Sequence, residues 1–214
     1  MSRQIRSFLF IALLASLSLP AAGRTPAASA PHAGAAKESA FREAMRKLWE
    51  DHITWTRQFV VSAVADAPDQ AAATERLLRN QVDIGNAIKP FYGDAAGERL
   101  TALLKEHITV AAELVTALKA NDKAKAEGAH RRWHANADEI ATFLSGANPK
   151  AWPPAEMKKM MRDHLELTAA EAAARLRGDW AADIAAYDKV HAQIMHMADM
   201  LSAGIVSQFP KKFE

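Results

Sequence analysis

Met45-Arg46-Lys47-Leu48-Trp49-Glu50-Asp51-His52-Ile53-Thr54-Trp55-Thr56-Arg57-Gln58-Phe59 reads as one amphipathic helix with a histidine on its inner face. Met45 and Leu48 stand seven and four residues before His52, and Trp55 and Phe59 three and seven after it, so all five share one helical stripe. The triplet at its centre, Asp51-His52-Ile53, returns as Glu106-His107-Ile108 and Asp163-His164-Leu165, at spacings of 55 and 57 residues. His107 has Leu100, Leu103, Val110 and Leu114 at the same offsets. His164 has Met157, Met160 and Leu167, with Glu171 as the one departure. One supersecondary unit is therefore written three times. Each copy turns an imidazole inward, where it needs a hydrogen-bonding or ligating partner.

From Glu38 onward Ala, Leu, Met, Glu, Lys and Arg dominate and no period-two pattern persists. This predicts an all-α chain of six helices, at 39–65, 70–88, 95–119, 123–144, 155–177 and 180–207. Ala67-Pro68-Asp69, Asn121-Asp122 and Gly178-Asp179 each offer a helix stop followed by an aspartate able to cap the next helix. The six helices thus form three antiparallel hairpins, 39–88, 95–144 and 155–207, in one bundle domain spanning 38–214. Longer breaks, Lys89 to Gly93 and Ser145 to Pro154, separate the hairpins because proline stops a helix.

Residues equidistant from a hairpin turn lie at one height. With turn centres at 67.5, 121.5 and 178.5, His52 falls level with Asp83, His107 with Asn136 and His164 with Gln193, while Gln81, His134 and His191 stand two residues earlier. Each hairpin is expected to carry a polar layer. Such layers can fix helix register, and they can bind metal, since neutral imidazole is the commonest protein metal ligand and bundle cores host such sites. The expected ligands of a transition metal ion (Zn, Cu or Fe) are His52, Asp83, His107, His134, His164 and His191. His52, His107 and His164 would converge on one ion if the hairpins surround a pseudo-threefold axis.

Met157, Met160 and Met161 fall level with Met200, Met197 and His196 by the same reasoning. Thioethers beside imidazole suit Cu(I). Core filling is the simpler reading here, because neighbours such as Met160 and Met161 cannot both face inward. A carboxylate-bridged di-iron centre would need two equivalent Glu-x-x-His helices. Glu127 to His130 and Asp188 to His191 have the spacing but occupy non-equivalent repeat positions. Cysteine is absent, which excludes disulfides, thiol nucleophiles and covalent haem. Neither a Gly-x-Ser-x-Gly elbow nor a phosphate-binding glycine loop occurs, so no catalytic residue is assigned and noncatalytic binding is expected.

Arg3 and Arg6 precede an apolar run from Phe8 to Leu19 and small residues at Ala21 to Gly23, the pattern of a secretory signal peptide over 1–23. The run is too short to span a bilayer, so no stable membrane span is expected after cleavage. A periplasmic or secreted location follows. Residues 24–37, rich in Ala, Pro, Ser and Gly, read as a flexible leader. Removing 1–23 takes two of 27 basic side chains and none of 25 acidic ones, leaving no net charge. No basic stripe with interleaved aromatics points to nucleic acid. A metal ion or an envelope protein is the expected partner.

Leu48 to Arg57, Asn80 to Gly93, Trp133 to Trp152 and Ala186 to Pro210, above all Asp83-Ile84-Gly85-Asn86-Ala87-Ile88-Lys89-Pro90 and Asn136-Ala137-Asp138-Glu139-Ile140-Ala141, resemble a family of small exported bacterial all-helical proteins. Its members carry inconsistent names, including a transferase label that these motifs do not support. The resemblance implies a shared helical bundle and brings no activity with it. Met160-Met161-Arg162-Asp163-His164 is also similar to the acid-histidine segment of periplasmic ferritin-like domains, over that one helix.

Overall fold

The computed structural model describes residues 33–214. The expected signal peptide and most of the leader lie outside the described residues. Six α-helices carry the chain: α1 (Ala33–Ala65), α2 (Gln70–Tyr92), α3 (Asp94–Lys119), α4 (Lys123–Ala147), α5 (Pro154–Leu176) and α6 (Trp180–Gln208), with a short 3-10 turn at Pro210–Lys212. Each helix packs on the next, and α6 packs back on α1, so three hairpins close into a ring. Helix α1 also touches α3 and α5 across the interior. Among the described residues there is no strand, and no helix is long and apolar enough to cross a membrane.

The threefold repeat is visible in the backbone of the turns. Asp66, Asn121 and Gly178 adopt left-handed conformations (φ 52°, 56° and 72°), each 14 residues after its repeat's histidine. In each turn the next amide donates back five residues, Ala67 to Ser62, Asp122 to Ala117 and Asp179 to Ala174, at 2.9, 2.9 and 3.1 Å. These are Schellman closures, which satisfy carbonyls that a helix end would otherwise leave bare. Asp122 and Asp179 then cap α4 and α6 by accepting from the Lys125 and Ala182 amides. Asp69 makes no such cap, because its carboxylate accepts from the Gln58 side chain instead.

Two boundaries differ most from expectation, and α4 also runs three residues past its expected end, to Ala147. Helix α1 begins at Ala33, inside the stretch read as leader. Alanine-rich sequence favours helix, and the chain's C-terminal end lies along it, with Lys37 donating to the Glu214 carbonyl. Helix α2 runs through Pro90 to Tyr92, so the break before α3 is Gly93 alone (φ 85°), whose amide bonds the Lys89 carbonyl. A proline in a last turn removes only one backbone bond, and burial of Phe91 and Tyr92 against the main core favours the extension.

Helices α2 and α3 approach most closely where Gly85 meets Gly97. A Cβ on Gly85 would sit 1.9 Å from Thr101 Oγ1 and 2.6 Å from the Gly97 carbonyl oxygen. Glycine in a helix costs about 1 kcal/mol relative to alanine, yet here contact geometry outweighs propensity. Gly85→Ala is expected to lower stability by about 1–3 kcal/mol, the range for overpacked cores, as read from the urea midpoint. A neutral or stabilising result would show that the two backbones are not in contact.

Candidate functional site

The three repeat histidines meet inside the ring. His52 (α1), His107 (α3) and His164 (α5) are 3–4% exposed. Ring centroids are 5.9 Å apart for His52 and His164, and 6.5 Å for His107 and His164. Between them lies a cavity of about 10 Å3, lined also by Trp49, Leu104 and Met161, each three residues before a triad histidine, and by Ile140 and Met197. That space is near the minimum that holds a single water molecule.

An amide on the partner helix orients the His107 and His164 rings. Asn136 donates from Nδ2 to the Leu103 carbonyl at 3.1 Å, which leaves its Oδ1 to face His107 Nδ1 at 2.9 Å. Gln193 repeats this with the Met160 carbonyl at 3.2 Å and His164 Nδ1 at 3.0 Å. In the first hairpin two residues divide the task. Asn80 donates to the Leu48 carbonyl at 3.0 Å, while Gln81 donates to Leu77 and Asn80 and keeps its Oε1 for the ring. His52 Nδ1 and Gln81 Oε1 are both buried without a hydrogen-bond partner, so this copy is one bond short. An acceptor at Nδ1 puts the ring proton there and leaves Nε2 as a lone pair.

Burial pushes all three imidazoles toward the neutral form, and for His52 and His107 the neighbouring rings add to it. His107 is lowered to about 3, chiefly by desolvation and then by His164; His164 falls to about 4 by desolvation. His52 lies well below the ordinary value, through desolvation and then through His164 and His107. The site is therefore three uncharged imidazoles, two of them with Nδ1 held by an amide, which is the outer arrangement usual for metal-ligating histidines. One lone pair is already engaged: Trp133 Nε1 donates to His107 Nε2 at 3.1 Å. Among the described residues, no group of three or more His, Asp or Glu has donor atoms gathered closely enough to hold an ion as they stand.

Asp83, His134 and His191 are not in this layer. Each stands two residues from the inner amide of its helix, about 200° round the axis, and so faces away. Asp83 is half-buried, and the His52 ring has Gln81 beside it instead. His134 packs on His130 with centroids 4.4 Å apart. His191 Nε2 lies 3.1 Å from Glu50 Oε1 near the surface. The level of Asp83 also needs correction: the observed pairs are separated by 29 residues, His107 with Asn136 and His164 with Gln193, and the same separation from His52 reaches Gln81. Pro68 and Asp69 lengthen the first loop, but Asp69 already has helical dihedrals, so the left-handed residue sets the register and not the loop midpoint.

A second buried polar group escaped the sequence reading. Arg57 Nη1 lies 2.7 Å from Glu171 Oε1 and 2.8 Å from Asp183 Oδ1. Arg175 Nη1 reaches Asp183 Oδ2 at 3.2 Å. The Arg57 guanidinium also stacks on Tyr187, 4.7 Å from the ring centroid. Glu171, the one acid on the apolar stripe of its repeat, was the available signal. This network ties α1 to α5 and α6.

Fold and site together define an all-α bundle of three repeated hairpins with a neutral histidine triad at its centre. Comparison with family models, curated proteins and solved structures finds no match for this chain.

Proposed function

We propose that this is an exported, noncatalytic binding protein of the periplasm or extracellular space whose inner triad, His52, His107 and His164, takes one transition metal ion. The observation that carries the reading is the convergence of three uncharged imidazoles, two of them bonded at Nδ1 to an amide. Three imidazoles on one ion, at metal–nitrogen distances near 2.0 Å, have ring centroids roughly 5.5 Å apart. For the two pairs that His164 makes, loading thus asks for a contraction of one ångström or less from the observed 5.9 and 6.5 Å. It also displaces the Trp133 N–H from His107, at about 1 kcal/mol for a neutral hydrogen bond. Metal binding to a preformed site is worth several times that. Export rests on the leader-like sequence of residues 1–23.

The test is metal uptake by the full chain purified without a histidine tag, titrated with Zn(II) and Co(II). One equivalent should bind and raise the melting temperature, by about 2.7 kcal/mol of stabilisation at a hundredfold excess over Kd. Trp133→Phe, which removes the competing donor, should tighten binding about fivefold, the equivalent of that one hydrogen bond. Absence of stoichiometric uptake in both proteins sinks the reading.

A second reading is favoured by the Trp133 bond itself. The triad would then be a register lock for a structural or partner-binding envelope module. Trp180 and Ile184, 55% and 56% exposed and one turn apart on α6, would be its apolar contact surface. Under this reading metals leave the melting temperature unchanged, and Trp180→Ser with Ile184→Ser abolishes binding to an envelope partner without unfolding the chain.

A further inference from the structure

We infer that the metal held by the triad is cuprous copper, with Met161 and Met197 supplying thioether donors beside the three imidazoles. This rests on the metal-binding reading above and assigns the ion. Both methionines line the cavity between the rings, and they are 4% and 1% exposed. Of the other methionines on α5 and α6, Met160, Met195 and Met200 are half-buried and Met157 is buried, and none of these lines it. The structure thus separates two methionines that face the site from four on the same helices that do not, a distinction the sequence could not make.

Their repeat positions argue against simple gap filling. Three residues before its histidine, the first repeat has Trp49, the second Leu104 and the third Met161. Four residues after the orienting amide the three repeats have Gly85, Ile140 and Met197. At both positions the thioether is introduced by the third hairpin alone, and both fall on the one cavity that three imidazoles share. No carboxylate lines that cavity. Hard or borderline ions such as Fe(III) or Zn(II) favour oxygen, imidazole and thiolate ligands, whereas a neutral set of imidazole and thioether in a low-dielectric core selects a soft monocation. A monocation also places one charge fewer in that core than a divalent ion, where no anionic side chain offsets it. Trp49 Nε1 and His52 Nδ1, buried in this same wall, lack hydrogen-bond partners, so the layer is not a completed hydrogen-bonded core. All three imidazoles are neutral, with the His107 and His164 protons held at Nδ1, so binding displaces no proton and needs no electron transfer.

The test uses the full untagged chain under anaerobic conditions, with Cu(I) supplied as its acetonitrile complex and competed against a chromophoric Cu(I) chelator, alongside a Zn(II) titration. One equivalent of Cu(I) should bind more tightly than Zn(II), and copper K-edge absorption should show a sulfur shell. Met161→Leu with Met197→Leu is close to volume-conserving and should fold. It should lose the sulfur shell and at least tenfold in Cu(I) affinity, while Zn(II) affinity stays within twofold. Uptake of Zn(II) without Cu(I), or Cu(I) binding unaltered by the double variant, overturns the copper assignment and leaves the triad standing. Uptake of neither ion overturns both.

Discussion

Lowering the pH from 7 to 5 is expected to remove a large part of the stability of this bundle. The ordinary imidazole value is 6.5, and the folded chain holds His164 down to about 4, His107 to about 3 and His52 well below 6.5. Folded values depressed below unfolded ones mean that, between these limits, the unfolded chain binds more protons. Stability therefore falls as the pH falls. Each such group contributes about 1.4 kcal/mol per pH unit once fully engaged, so three contribute roughly 4 kcal/mol per unit. By pH 5 the accumulated loss is about 6 kcal/mol, on the scale of the 5–15 kcal/mol that holds a typical domain together.

Glu171 acts in the opposite sense, since burial raises its carboxyl and favours its protonated form in the fold. One group does not offset three. Asp122, Asp138 and Asp199, held low mainly by their basic partners, lose their contribution only as the pH falls from 3.8 downward, below most of this window. Urea midpoints at pH 7.5, 6 and 5 measure the effect, and His164→Gln, if folded, should reduce the slope by about a third. Equal stability at pH 7.5 and 5 would falsify the buried neutral triad.

Removal of Arg57 carries the second large effect. The guanidinium neutralises Glu171 and Asp183, which are 3% and 1% exposed, and Asp183 alone keeps a second cation in Arg175. Deleting one member of a buried ion group strands the others, at about 3–5 kcal/mol, whereas replacing the whole group with apolar residues of matching volume is often neutral. Arg57→Met is therefore expected to lower stability by about 3–5 kcal/mol at pH 7. Adding Glu171→Leu should restore much of the loss, because the stranded carboxylate is then gone. A double variant no more stable than Arg57→Met would mean that the network acts through packing on Tyr187 and not through charge.

These cases mark what was legible in the chain. The periodicity around His52, His107 and His164 reports one helix face, and the histidine on that face is buried in all three repeats. Turn positions report height, and for the second and third hairpins they put the correct amide opposite each ring. They fail for the first hairpin because helical winding resumes before its loop ends. His134 and His191 were grouped with the triad at the right height but the wrong azimuth, since residues two apart on a helix point to opposite sides.

By itself the sequence determined the all-α class, the three hairpins and the burial of their imidazoles, because those depend on contacts within one helix pair and on local periodicity. Tertiary structure alone decided that the hairpins close into a ring, that three rings share one small cavity, that Trp133 caps His107 and that Arg57 crosses to Glu171 and Asp183. Distances across a bundle depend on how helices 50 or more residues apart dock, and helix periodicity encodes which face is buried but not what it meets.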